Sequence, residues 1–240
     1  MLKPQIILAL ETSTSACSVA LKVDSIIDQL YEEGNNLHSK CLLGMVDQLL
    51  IKHKVSLQDV DLLVSGIGPG AFTGLRIGVG VAQGIAFSHS IPVLGVSSLQ
   101  ALAQSATIQP SGYIVAGLDA RMSEIYWTIF KKQDSELLLE IYEQHCLTSP
   151  ESIEFSDEIK NVYSTFIGNA WSIYFDSFTT ATKNYLLKSK NLDSLPQAIH
   201  LIEYALSHKL MPSLNNCFEL SPLYIRNDIA KKKTKNLLLK

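Results

Sequence analysis

This chain has little of what marks several large protein classes. No apolar run approaches the roughly 20 residues that a membrane-spanning helix needs. Near the start, the apolar stretch Ile6 to Leu10 is cut short by Glu11, whereas a secretory leader would need a longer uncharged core. The four cysteines, Cys17, Cys41, Cys146 and Cys217, are scattered and form no C-x-x-C pair. That spacing suits a reducing compartment and supports neither a disulfide framework nor a cysteine zinc site, so cytoplasmic residence is the expectation. The histidines, His38, His53, His89, His145, His200 and His208, never fall three or four residues apart. No helix can therefore present two imidazoles to one metal ion, as H-E-x-x-H does. No G-x-S-x-G elbow is present either, which leaves a serine-hydrolase reading without support. Basic residues are not in surplus, with 20 Lys and Arg against 23 Asp and Glu and a net charge of −3. A protein that grips nucleic acid by itself usually carries a basic face. Here only the run Lys231-Lys232-Lys233-Thr234-Lys235 is strongly basic. Such a run reads as a solvated end or as a contact for an anionic partner.

What is present describes an ordinary globular protein. The 240 residues are 47% hydrophobic and 18% charged, enough for the core of one large domain or two small ones. The most informative segment is Ser65 to Gly84, which contains Gly66, Gly68, Gly70, Gly74, Gly78, Gly80 and Gly84. It follows the strand-like run Leu62-Leu63-Val64 and continues without a breaker to Pro92. A glycine-rich turn between a strand and a helix is where α/β proteins place phosphates, because free N–H groups and the helix dipole converge there. The spacing is neither a P-loop nor a dinucleotide fingerprint, since Gly-Lys-Ser/Thr and G-x-G-x-x-G are both missing.

Two readings stay open. Gly68-Pro69-Gly70 can let a phosphate approach the backbone. Alternatively, Gly74, Gly78, Gly80 and Gly84 can form a small-residue seam for a second helix, since each glycine inside a helix costs about 1 kcal/mol relative to alanine and needs a packing reason. Arg76 is the best cationic candidate in the segment. The tetrapeptide Glu11-Thr12-Ser13-Thr14 also has two readings. An acid ending a buried strand before a turn of hydroxyls suits the handling of a metal or phosphate. Serine and threonine clusters also simply make turns.

The order of elements points to mixed α/β sheets. Strands are predicted over Gln5 to Glu11, Ala16 to Val23 and Ile26 to Glu32. A helix follows from about His38 to His53, with Leu42, Met45, Val46, Leu49 and Leu50 at helical spacing. Next come strand Leu62 to Ile67, the glycine-rich helix, a strand over Ile91 to Val96 and a helix from Ser97 to Ala106. Ile108 to Gly112 reads as a seam between halves. The second half restarts with strands Tyr113 to Leu118, Glu124 to Lys131 and Leu137 to Gln144, around the polar turn Asp119-Ala120-Arg121. Ser149-Pro150-Glu151 reads as a helix start, Phe166 to Ala170 as a strand and turn, and Pro196 to His208 as a helix. Two related α/β units fit this order, although no sequence repeat is evident.

Together, Ile7 to Thr14, Gly66 to Gly84, Val93 to Leu99, the Asp119-Ala120-Arg121 turn and Pro222-Leu223-Tyr224-Ile225-Arg226 resemble the TsaB (YeaZ) family of tRNA threonylcarbamoyladenosine biosynthesis proteins, glycoprotease-like paralogues of the catalytic TsaD. The resemblance runs nearly end to end and is strongest before residue 106. It implies an actin/sugar-kinase/Hsp70-like (ASKHA) α/β fold of two related lobes with mixed sheets. The expected division is a first lobe over 1–108, a second over 109–222 and a final segment over 223–240 with the basic tail, the stretch after Pro222 being able to fold back on the first lobe.

The resemblance also implies a non-catalytic subunit. It would pair with the TsaD-like paralogue, which moves the threonylcarbamoyl group to the adenosine next to the anticodon. It would join a TsaE-like ATPase, reach tRNA only through the complex, and form a homodimer when alone. The paralogue carries H-x-x-x-H where this sequence has Ser98 and Leu102, and leucine cannot ligate a metal. Accordingly no metal site and no catalytic residue are assigned. The implied partner face lies on two helices, roughly 38–53 and 71–88, with His38, Leu42, Met45, Leu49, Phe72, Arg76, Val79 and Gln83 as candidates. A nucleotide, ATP or ADP at the partner interface, is the one cofactor considered, with Glu11, Thr12, Ser13, Gly68, Gly70, Thr73 and Gly74 as its candidate ligands. The rival reading is an independent ATP-dependent, kinase-like enzyme of the same fold. A peptidase reading finds no nucleophile–base pair.

Overall fold

The computed structural model describes residues 5–34, 36–106, 112–132, 139–162, 164–207 and 216–226. The seam at Ile108 to Ser111 and the lysine run 231–235 lie outside them. The first sheet contains β1 (Ile6–Glu11), β2 (Ala16–Val23), β3 (Ile26–Glu33), β4 (Leu62–Gly68) and β5 (Val93–Ser97), in the order β3-β2-β1-β4-β5. β1 is central, antiparallel to β2 and parallel to β4. Its alternation splits the apolar residues between two faces. Leu8 and Leu10 pack with α1 (His38–His53) and α2 (Phe72–His89), while Ile7 and Ala9 pack on the opposite side. A strand covered on both faces must be apolar at every position, which is why Ile6 to Leu10 reads as one continuous run.

The second sheet contains β6 (Gly112–Asp119), β7 (Ile125–Lys132), β8 (Leu139–Thr148), β9 (Ser164–Ile167) and β10 (Lys190–Leu192), in the order β10-β9-β6-β7-β8. Read from β8, this repeats the first sheet. Two antiparallel pairs lead to the first strand of the unit, and two parallel pairs lead away from it. The duplicated order is that of the ASKHA fold. Between the sheets lies α3 (Ser98–Gln104), all of whose residues are buried. Leu99, Leu102 and Ala103 face the second sheet, and Ala101 faces the first.

Packing crosses the boundary suggested by chain order. α7 (Ala198–Ser207) follows the second sheet in sequence but covers the first, with Ala198, Leu201 and Ile202 against Ile7, Ala9, Val64 and Leu94. Its amino-terminal N–H groups are unpaired by the helix itself, and the first sheet supplies their acceptors. Ala198 N donates to Ser18 Oγ at 2.7 Å and Ile199 N donates to Gln29 Oε1 at 2.8 Å. The stretch 216–226 also returns, with Cys217 and Leu220 in the α1/α2 core and Leu223 N donating to Ile67 O at 2.7 Å.

Three details of the second half differ from the sequence reading. β8 runs Leu139–Thr148. Ser149-Pro150-Glu151 opens only a 3-10 turn over Pro150–Ser152, and the next α-helix, α4 (Asp157–Lys160), starts after its Ser156 cap. α5 (Ala170–Ile173), α6 (Thr180–Lys188) and β10 were not anticipated. α6 buries only Thr182, Tyr185 and Leu186, too few to set a clear period, and β10 has three residues.

Candidate functional site

The end of β1 carries Glu11, which is 1% exposed. Its Oε1 accepts from Ser13 N at 2.7 Å and its Oε2 accepts from Ser98 Oγ at 2.9 Å. Ser98 Oγ in turn accepts from Gly68 N at 3.2 Å. One hydroxyl thus ties the end of β1, the end of β4 and the start of α3 together. Burial pushes the Glu11 carboxyl above its ordinary range, against the opposing pull of hydrogen bonds from Ser13 and Ser98. Gly66 makes room for it, since a Cβ there would lie 2.1 Å from Glu11 Oε2.

The turn after β1 lies directly on α2. Thr12 Oγ1 donates to Gly74 O at 2.9 Å, and Ala71 N donates to Ser13 O at 2.6 Å. A Cβ at Gly70 would sit 2.1 Å from Ser13 O, one at Gly74 2.2 Å from Thr12 O, and one at Gly78 2.1 Å from Thr12 Oγ1. Real atoms do not approach that closely, so these three positions, each four residues apart, require glycine. Glu11, Thr12, Ser13, Gly68, Gly70 and Gly74 are therefore brought together, in contact with one another. The N–H groups of Ser13, Gly68 and Ala71 are engaged within the chain. Thr73 is exposed in the first turn of α2.

The candidate partner residues divide. His38, Leu42, Met45, Leu49 and Val79 face inward and are buried. His38 Nε2 donates to Ala16 O at 3.1 Å, and the other four pack in the α1/α2 core. Burial removes them from any partner surface, because the apolar stripe of each helix is spent on its own sheet. Phe72, Arg76 and Gln83 lie at or near the surface and meet the returning stretch 216–226. The Arg76 guanidinium lies 3.7 Å from the centre of the Phe72 ring, its Nε donates to Tyr224 Oη at 2.9 Å, and Gln83 Nε2 donates to Leu220 O at 2.8 Å.

The outward face holds residues that helical spacing alone did not single out. Leu43, Ile51 and Phe87 are 57%, 77% and 66% exposed. Beside them, Gly44 on α1 and Gly80 and Gly84 on α2 face open space: among the described residues, no atom beyond the helix's own backbone lies within 4 Å of an added Cβ. Gly80 and Gly84 were visible in the sequence as part of the seam. Its division into an inner and an outer stripe was not.

Among the described residues, no group of three or more His, Cys, Asp or Glu could hold a metal ion. Leu102 lies fully buried against the second sheet. A cavity of about 260 Å³ lies in the second lobe, lined by Trp171, Phe175, Leu186 and Asp193 among others, and includes none of the candidate site residues. No helix of the described residues is long and apolar enough to cross a membrane.

The chain is similar to known proteins over most of its length. The family model described as TsaD, tRNA N6-adenosine threonylcarbamoyltransferase, matches residues 32–234. The tRNA threonylcarbamoyladenosine biosynthesis protein TsaB of Haemophilus influenzae (strain ATCC 51907 / DSM 11121 / KW20 / Rd) is 35% identical over 240 aligned residues, covering 95% of this chain and 96% of that protein. The protein of the same name from Escherichia coli (strain K12) is 32% identical over 229 residues, covering 95% and 97%. Among solved structures, YeaZ from Pseudomonas aeruginosa superposes with a TM-score of 0.81 at 34% identity, covering 92% of this chain and 100% of that one.

Proposed function

The chain belongs to the TsaB/YeaZ family, related to TsaD, and takes part in tRNA threonylcarbamoyladenosine biosynthesis; from that premise we propose that it acts as a non-catalytic subunit. It pairs through the outward face of α1 and α2 with a TsaD-like catalytic paralogue, joins a TsaE-like ATPase and meets tRNA through the assembled complex, in the cytoplasm. The observation that carries this reading is the outer glycine stripe. Gly44, Gly80 and Gly84 weaken their helices by about 1 kcal/mol each relative to alanine, and no neighbour among the described residues uses the space they leave. A helix from another polypeptide can use it, because small residues let two backbones approach closely. The exposed Leu43, Ile51 and Phe87 beside them supply apolar area. The same face pairs two copies when the catalytic paralogue is missing.

Ser98 and Leu102 support the non-catalytic role. The family's catalytic members carry imidazoles at these places, whereas here the hydroxyl of one is committed to Glu11 and the other is aliphatic core. ATP or ADP has a place only at the partner interface. The internal engagement of the Ser13, Gly68 and Ala71 N–H groups leaves few donors for a phosphate on the chain alone.

The test is Gly84→Leu, which fills the outward groove with a good helix former. We expect normal folding, at least tenfold weaker association with the catalytic paralogue in calorimetry, and a matching loss of modified tRNA in the reconstituted assay. Full activity of the paralogue without this chain would overturn the proposal. Tight binding of ATP–magnesium by the isolated chain would instead favour the kinase-like alternative.

A further inference from the structure

The stretch Asn216 to Arg226 is short, yet it is fastened to both lobes. On the first lobe, Cys217 and Leu220 are buried in the α1/α2 core, Gln83 Nε2 holds Leu220 O, Leu223 N donates to Ile67 O, and Tyr224 Oη accepts from Arg76 Nε. On the second lobe, Ile225 packs against the cluster containing Leu118, Tyr126 and Phe130. The Arg226 guanidinium donates to Ala120 O at 3.1 Å and pairs with Glu124. Those two residues flank Arg121, Met122 and Ser123, which turn the chain from β6 to β7 with φ of 58°, 55° and 59°. Three successive non-glycine residues in the left-handed region form an unfavourable turn that its surroundings must hold. From Leu223 to Arg226 an extended chain spans only about 10 Å, so this tether cannot follow a wide opening of the lobes.

We propose that residues 216–226 are a clamp that sets the angle between the two lobes and reports partner docking to it. The clamp lies along α2 itself. Phe218 meets Phe87 edge-on with ring centres 5.5 Å apart, and Tyr224 and Phe72 are 5.9 Å apart. Phe87 belongs to the outward face proposed above as the docking surface, and Phe218 is 72% exposed beside it. A helix seated against α2 therefore touches the clamp, and tightening it at Phe218 and Tyr224 restrains Arg226 on the second lobe. This coupling rests on the docking reading; the clamp itself does not.

The experiment places a fluorophore pair, through unnatural side chains, at Ser25 in the first lobe and Leu187 in the second, both exposed. It reads the distribution of distances by single-molecule energy transfer on the full chain. For the isolated chain, Arg226→Ala and Glu124→Ala, which break the ion pair from the clamp and from the second lobe respectively, should each at least double the width of the distribution, and Arg226→Lys should fall between them and the parent. Unchanged widths in both alanine variants would overturn the clamp. On adding the catalytic paralogue, the parent distribution should narrow and the Arg226→Ala distribution should not. Binding without narrowing would overturn the coupling. Failure of the paralogue to bind would overturn the docking reading, while the isolated-chain widths decide the clamp.

Discussion

α2 and the turn leading into it carry two rows of glycines that look alike in sequence and do opposite things. Gly70, Gly74 and Gly78 lie where a single added carbon would strike Ser13 O, Thr12 O or Thr12 Oγ1. Gly80 and Gly84, on the same helix, face no other described residue within 4 Å of an added carbon. The inner row is explained by this chain alone, since it lets the turn after β1 rest on the helix backbone. The outer row has no explanation among the described residues, which is the ground on which we propose that another molecule uses it. Glycine content identifies close approach, and only the structure says to what.

Several substitutions would break or sharpen that contrast. The largest effect is expected from Gly74→Ala, whose Cβ meets a backbone oxygen that cannot swing aside. It should destabilise the fold by about 3 kcal/mol, read as a lower denaturation midpoint in urea. Next is Glu11→Gln. Because burial raises the folded-state pKa of Glu11 above its unfolded value, the native carboxyl holds its proton over a pH range where the unfolded one has lost it. Its contribution to stability is therefore fully present below the ordinary carboxylate pKa and is lost as pH rises through the raised one, with a slope of at most about 1.4 kcal/mol per pH unit. That component of the slope should vanish in Glu11→Gln, and thermal melts at successive pH values would show it. Thr12→Val removes the hydroxyl that bonds Gly74 O in a buried place. It should cost about 1 kcal/mol, again by urea unfolding. The smallest effect has the reverse sign. Gly80→Ala and Gly84→Ala should each stabilise the isolated chain by about 0.5–1 kcal/mol while weakening association with the paralogue. A loss of stability in both would mean that the outer row is used internally after all.

Much of the first lobe was legible because each of its strands is a continuous or alternating apolar run bounded by turn residues. β1 to β5 lie close to their predicted places. The second lobe was harder to read, and its kinship with the first showed in the order of elements but in no sequence repeat, because the two cores are built from different residues. The first is mainly aliphatic, with Leu8, Leu10, Val46 and Leu49, whereas the second relies on Phe155, Phe166, Trp171 and Tyr185 packed edge to face. The same strand order can be filled either way, so no repeat survives in the letters.

The candidate site shows the same limit. The glycine spacing and the Glu11-Thr12-Ser13 turn stood out, and so did the two helices. Their orientation did not, since the strongest apolar period, Leu42, Met45 and Leu49, marks the side turned to the sheet. The outward side is marked only by sparse residues, Leu43, Ile51 and Phe87, mixed with polar ones. Nor could spacing along the chain reveal that Arg76 and Gln83 would be met by residues more than 130 positions away.

The return of α7 to the first sheet has a consequence for how the polypeptide can be divided. The lobes are contiguous in sequence only on paper: a fragment that stopped after the second sheet would lack the lid over Ile7, Ala9, Val64 and Leu94. Those side chains would meet water, and Ser18 and Gln29 would lose the amide groups they cap. The amino-terminal half is thus finished by residues made after the whole second sheet, and a premature stop anywhere upstream of Ala198 spoils the part of the protein that was translated first.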